Sequence, residues 1–247
     1  MKKYKLTEET INLNGRTLYR IEALRDFAYI KKGNKGGFVE KENNLSQYGD
    51  SWVDDDATVF GNAQVCGNAR IYGNAIVRGD AQVYGHASVR GNAEVYGHAD
   101  ICGDAQVYDE AKVYDYAEVY DNAEVYDNAK VFENAEVSFD AKVYDDAKVY
   151  EYAMVQGNAK VYGNAEIRTN ACIYGDAVID SIGYYIVFKN FWSSGRSFTW
   201  TRSNDMWKVG CFYGTGEELI KKAYKESEIS GREYERIVKY VETIKGK

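Results

Sequence analysis

Proline is absent from the 247 residues, and histidine occurs only twice, as His86 and His98. A chain without proline loses no backbone donor, so every strand can pair on both sides along its whole length. Scarce histidine limits metal ligation and proton transfer, for which imidazole is the commonest group. The four cysteines (Cys66, Cys102, Cys172, Cys211) form no Cys-x-x-Cys pair, which argues against a zinc knuckle and against a disulfide framework. No stretch approaches 18 consecutive apolar residues, and Met1–Glu9 lacks the apolar core of a signal peptide. A soluble, reduced, cytoplasmic protein is expected. Basic residues are in deficit, 31 against 38 acids, for a net charge of −7. That balance argues against direct nucleic-acid binding and against an anionic membrane surface. No cofactor and no metal are expected.

What is present is a repeat. From Ala57 to Ala177 alanine recurs at every sixth position, and Val or Ile stands two residues after each one. This gives 21 consecutive units of the form Ala-x-Val-Tyr-Gly-Asn over residues 57–182, with weaker units such as Tyr48–Val53 upstream. A period of six fits no helix, but it fits a short strand followed by a two-residue turn. Alternation places Ala and Val on one side and x and Tyr on the other. Gly, Asp and Asn tolerate the positive φ of a corner. An alanine in every unit implies an interior too tight for a larger residue.

The outward position after Val is aromatic in 13 of the 21 units. Folding the chain at 18 residues stacks Tyr72, Arg90, Tyr108, Tyr126, Tyr144 and Tyr162 on one face. A second face stacks Phe60, Arg78, Tyr96, Tyr114, Phe132, Tyr150 and Arg168. Such ladders stabilise the coils, and Tyr and Arg are also favoured contact residues. Charge is unevenly placed: residues 53–180 hold 23 acids and 9 bases, net −14, and residues 109–152 hold 13 acids and 4 lysines. The first turn residue is Gly from Gly61 to Gly103 and mainly acidic from Asp109 to Glu151. The candidate docking residues are therefore the acids Asp109, Glu110, Asp115, Glu118, Asp121, Glu124, Asp127, Glu133, Asp145 and Asp146. With them go the ladder residues Tyr96, Tyr108, Tyr114, Tyr126, Tyr144, Tyr150 and Tyr162. Eight such units span nearly three coils, so the acids are expected to form a belt rather than a stripe, with Lys112, Lys130, Lys142 and Lys148 able to pair across coils.

The unit Val161-Tyr162-Gly163-Asn164-Ala165-Glu166 resembles the hexapeptide repeat of left-handed parallel β-helices. The resemblance implies a mostly β chain in which three units make one triangular coil. Seven coils would form a shaft of about 34 Å, at roughly 4.8 Å per coil. The same prism carries acyltransferases, carbonic anhydrases, capping proteins and ice-binding proteins, so fold alone does not name an activity.

The flanks read as separate modules. Residues 1–44 form a small β cap with a hairpin turning at Asn14-Gly15, and residues 45–182 form the β-helix. Residues 183–247 form an α+β unit, with strands Tyr184–Phe188, Phe198–Thr201 and Trp207–Phe212, then two helices opened by Thr215/Glu218 and Ser230/Glu233 capping boxes. Gly36–Glu40, Asn44–Gln47, Trp52-Val53 and Val209–Thr215 also resemble phage and prophage proteins labelled polymer-forming or transferase-like. That implies a mobile-element origin. Together with the acidic, Tyr-lined shaft and the lack of a catalytic constellation, it leads to the expectation of a non-enzymatic binding module, a phage-encoded inhibitor acting on a host or phage protein of the nucleic-acid-handling kind. The alternatives are an acyltransferase using His86 or His98 at trimer interfaces, and a structural rod assembling as dimers or trimers.

Overall fold

Each hexapeptide unit becomes one side of a triangular coil. In a computed structural model describing residues 2–245, the strands pair in parallel with the strand 18 residues on, as in Glu94↔Lys112 and Val95↔Val113. Three stacked sheets result, one for each side of the triangle. Every repeat alanine from Ala57 to Ala177 and every Val or Ile from Val59 to Ile179 is at most 1% exposed. The repeat interior is filled by the aliphatic side chains of Ala, Val and Ile. Burial of these groups supplies the driving force, while the tight, regular interior excludes larger side chains.

The stack contains about eight coils, close to the expected seven. The additional coil comes from residues preceding the regular repeat. β3 (Lys35–Val39) joins in parallel to Thr58-Val59, Trp52-Val53 pairs with Arg70-Ile71, and Leu45 bridges Val65. Gly36 and Gly37 allow this entry. A Cβ on either would stand 2.4–2.5 Å from the carbonyl oxygen of Val53 or Ala57, closer than any side chain tolerates.

The first edge is closed by β1 (Tyr4–Leu13) and β2 (Arg16–Ala23), an antiparallel hairpin with left-handed Asn14 and Gly15 at its tip. β2 pairs with β3, so the hairpin continues the first face of the shaft. Lys3 is fully buried here and donates to Ser51 O at 2.7 Å, and the Tyr4 hydroxyl donates to Leu45 O at 2.8 Å.

The last coil is closed by hydroxyl groups. Thr199 Oγ1 accepts from Cys172 N at 2.9 Å, and Ser203 Oγ accepts from Val178 N at 2.8 Å. The Tyr185 hydroxyl accepts from Arg168 N and donates to Glu166 O. These groups belong to a four-stranded antiparallel sheet, Tyr185–Lys189, Ser197–Thr201, Met206–Val209 and Phe212–Gly214. The expected third strand is thus two, broken at Gly210, whose φ of 54° turns the chain into a hairpin. α1 (Gly216–Glu226) starts at the Thr215/Glu218 capping box. α2 (Glu228–Ile244) starts earlier than the Ser230/Glu233 pair suggests, because Ser227 supplies the cap by accepting from Ser230 N. Ser230 and Gly231 lie inside the helix, where a Cβ on Gly231 would collide with the Tyr224 ring. Phe198, Trp200, Trp207, Leu219, Tyr234, Val238 and Val241 form the core of this unit. Among the described residues no helix is long and apolar enough to cross a membrane.

Candidate functional site

The three faces of the shaft differ in chemistry although their interiors are alike. Face one carries Glu94, Lys112, Lys130, Lys148 and Glu166 in successive coils, beside the ladder Tyr96, Tyr114, Phe132 and Tyr150. Face two carries Asp100, Glu118 and Glu136 in register. Face three carries Glu124, Lys142 and Lys160 beside the ladder Tyr108, Tyr126, Tyr144 and Tyr162. Both expected ladders are therefore present. Their rings lie 4.8–5.0 Å apart and within 8° of parallel, and Arg78 and Arg90 cap them over Tyr96 and Tyr108 at 4.0 and 3.9 Å. Their stacking shelters the phenols. Burial first, and neighbouring carboxylates and phenols second, push the Tyr114 and Tyr126 hydroxyls up to about 12.

The candidate acids divide among three places. Asp109, Glu110, Asp127, Asp145 and Asp146 lie on the corner between faces three and one, next to Lys112, Lys130 and Lys148. Asp121 lies on the corner between faces two and three, and Glu124 on face three is bound to Lys142 at 2.7 Å and to the Tyr108 hydroxyl at 2.8 Å. Asp115, Glu118 and Glu133 fall together, on face two and its corner with face one. Lys112 and Lys148 pair with Glu94 and Glu166, whereas Lys130 forms no ion pair among the described residues.

Several of these acids also have a local task. The amide of the first turn residue takes no part in the coil-to-coil backbone bonds. Asp115, Asp121, Asp127 and Asp145 accept from that amide in the next coil, at 3.1–3.4 Å, on Glu133, Phe139, Asp145 and Gly163. The second turn position builds amide ladders such as Asn74–Asn92 and Asn122–Asp140, both at 3.0 Å. His86 stands in one of these, 3.4 Å from Asn68, while His98 stacks on Tyr116 in a different corner and lies 4.0 Å from Asp80. The two histidines do not meet.

The corner between faces one and two is different. Over three coils it presents Asp115, Glu133 and Glu151, with Glu118 and Glu136 beside them, and no lysine or arginine occupies face two or this corner between residues 97 and 156. Like charges in register repel, and no pairing offsets this. Burial lifts the Asp100 carboxyl above the usual range, and its Oδ1 has no hydrogen-bond partner among the described residues. Two tyrosines stand out on the same corner: Tyr116 is 60% and Tyr152 62% exposed, against half-buried ladder rings. Phe139, on the next corner, is 48% exposed with φ 59°. The composition of the outward ladders did not reveal these three. They could have been found as breaks of the turn rule, since each puts an aromatic ring where Gly, Asp or Asn belongs. Among the described residues no group of three or more His, Cys, Asp and Glu is arranged to hold a metal ion.

A family profile described as YdcK Beta solenoid repeat matches residues 63–79, about one coil of the shaft. No curated protein matches the chain. The similarity to this repeat agrees with the parallel coils and extends no further than the fold.

Proposed function

We propose that the chain is a non-enzymatic protein-binding module that docks a basic partner on the corner between faces one and two. The observation that carries this reading is the unneutralised row of Asp115, Glu118, Glu133 and Glu151 flanked by the exposed rings of Tyr116 and Tyr152. Elsewhere on the shaft many acids have partners: Glu94, Glu124 and Glu166 pair with lysines, Glu110 and Asp146 lie beside Lys112, Lys130 and Lys148, and Asp140 and Asp176 accept from asparagine amides. Exposed tyrosine beside uncompensated charge suits an interface, because the ring supplies contact area and the charge steers the encounter. A partner that normally handles nucleic acid presents complementary basic charge. In its finer form the proposal is a hexapeptide-repeat inhibitor of phage origin, acting in the host cytoplasm as a mimic of a DNA surface.

Glu118, Glu133 and Tyr116 make no side-chain hydrogen bond among the described residues, so they can be changed without removing a corner cap. Affinity capture from host cells, with quantification of bound proteins, compares the wild type with the Glu118→Lys/Glu133→Lys/Tyr116→Ala variant. Loss of one specific partner from the variant, with retention by an Asn128→Lys/Asn164→Lys control on the lysine-bearing corner, is expected. Equal capture by all three proteins would refute the assignment of this corner.

A further inference from the structure

The cations of the C-terminal unit are unequally neutralised. On α2, Arg232, Arg236 and Lys239 pair with Glu228, Glu233 and Glu235, and Lys245 pairs with Asp205 and Glu242. Lys189, Arg196 and Lys208 form no ion pair among the described residues. All three line one groove of about 600 Å³, formed where the sheet of this unit meets the last coils of the shaft. The shaft contributes Met154, Gln156, Asn170 and Cys172, and no acid lines the groove. Lys208 is held over the Tyr174 ring at 4.3 Å. Glu136, one coil before Met154, is already engaged by Tyr120, Ser138 and Gln156. Three converging cations without a counter-charge repel one another. A bound anion relieves that cost, and the volume is of the size that takes a small organic molecule.

A second cavity of about 260 Å³ adjoins the first and shares Arg196 and Gly210 with it. Its other walls are mixed: Val209, Phe212, Leu219, Ala223 and Tyr234 offer apolar and aromatic surface, and Asn190, Ser193, Ser194, Lys222 and Glu226 offer hydrogen-bonding groups, the combination that a heterocyclic base uses. The Arg196 guanidinium lies beside the turn at Gly210, with Nη1 3.9 Å from where a Cβ would be. Arginine at this border can meet a phosphate with two parallel donors or lie flat against a ring.

We propose that this double cavity binds a small nucleoside phosphate. The phosphates would lie among Lys189, Arg196 and Lys208, with the base toward Phe212 and Tyr234. A simple anion would use the first cavity alone. An apolar ligand would have no use for three cations. The groove begins one coil beyond Glu151 and Tyr152 on the same side of the shaft, where the Tyr152 amide donates to Thr169 O at 3.0 Å and Met154 pairs with Cys172, but its cations belong to the C-terminal unit and not to the acidic corner.

Isothermal titration of the full chain with ATP, inorganic pyrophosphate and a short single-stranded DNA tests the assignment. Saturable one-to-one binding of ATP is expected, at least tenfold tighter than pyrophosphate because only ATP carries a base that reaches the second cavity. Lys189→Ala/Arg196→Ala should weaken ATP binding tenfold or more. Arg232→Ala/Lys239→Ala, which removes the same charge from α2, should leave it unchanged. Lys189 and Arg196 are exposed, so circular dichroism and thermal melting are expected to match the wild type. The proposal is overturned by absence of ATP binding at millimolar concentration, by equal weakening in the two double variants, or by equal affinity for ATP and pyrophosphate. Tighter binding of the oligonucleotide than of ATP also overturns it, since the groove would then be part of a nucleic-acid surface.

Discussion

A single side chain decides how closely two coils approach at a corner. From Gly61 to Gly103 the corner amides donate to the next coil at 2.6–2.7 Å, whereas from Asp109 to Glu151 the same bonds are 2.8–3.0 Å. The cause is the Cβ: one added to Gly91 would stand 2.9 Å from Asp109 N, so corners that carry a side chain must open by a few tenths of an ångström. Aspartate compensates by giving the next corner's free amide an acceptor, as Asp127 does for Asp145 at 3.4 Å. Asp127 also sits at φ 54°, a conformation that Asp tolerates better than alanine does. Asp127→Ala is therefore expected to lower unfolding free energy by about 1–2 kcal/mol, through lost capping and left-handed strain together. Asp127→Gly loses the acceptor but gains conformational freedom, and should cost clearly less. Urea denaturation of the two variants distinguishes these contributions, and equal costs would show that the backbone conformation is irrelevant.

At the scale of elements, the tyrosine ladders and the N-terminal hairpin respond to pH in opposite senses. Burial, reinforced by Arg25 and opposed by Asp50, lowers the Lys3 ammonium to about 8, so between pH 8 and 10.5 the unfolded chain holds the extra proton. Stability rises with pH across that window, by about 1 kcal/mol between pH 8 and 9. Cys172, pushed up to about 11 by burial, stays neutral in the folded state while the unfolded thiol ionises above its ordinary value of 9. The ladder phenols behave in the same way above 10. Both lower stability as pH rises. Unfolding midpoints measured from pH 7 to 12 should peak at about pH 9 and fall steeply beyond 10. Lys3→Met should abolish the rising limb. Tyr126→Phe, which keeps the stacked ring, should leave the midpoint at pH 7 unchanged and soften the alkaline fall.

For the whole molecule, the two ends of the shaft matter more than its middle. An open parallel stack exposes a row of unpaired amides and carbonyls to a second copy. The hairpin satisfies one end with backbone, and the C-terminal unit satisfies the other with Thr199, Ser203 and Tyr185 side chains. Thr199 is fully buried, so Thr199→Val strands the Cys172 amide without a partner. The expected cost is about 1–3 kcal/mol, with concentration-dependent association seen by light scattering if the unit then lifts from the coil. A variant that stays monomeric and keeps wild-type stability would show that this hydroxyl does not close the end.

The coils were legible from the alternation Ala-x-Val because period six admits one arrangement of strand and turn, and because alanine at every unit states the interior's size. The stacking of Tyr108 on Tyr126 follows from the same 18-residue arithmetic. The division of the acids was not legible in composition. Asp109 and Asp115 occupy the same place in their units, yet one lies on the corner beside Lys112 and the other on a corner without a cation. Nor could the helix start at Ser227 be chosen over Ser230, since either serine offers a capping oxygen and packing of Gly231 against Tyr224 decides between them.

Local sequence therefore determined the shaft, because each strand–turn unit repeats the same backbone requirements and buries the same groups. Tertiary structure alone decided which charges are neutralised. Successive units lie on three different faces, so a residue's ionic neighbours are 16 to 18 positions away rather than adjacent. It also decided how the ends close and where Lys189, Arg196 and Lys208 converge, since those contacts join segments with no common repeat.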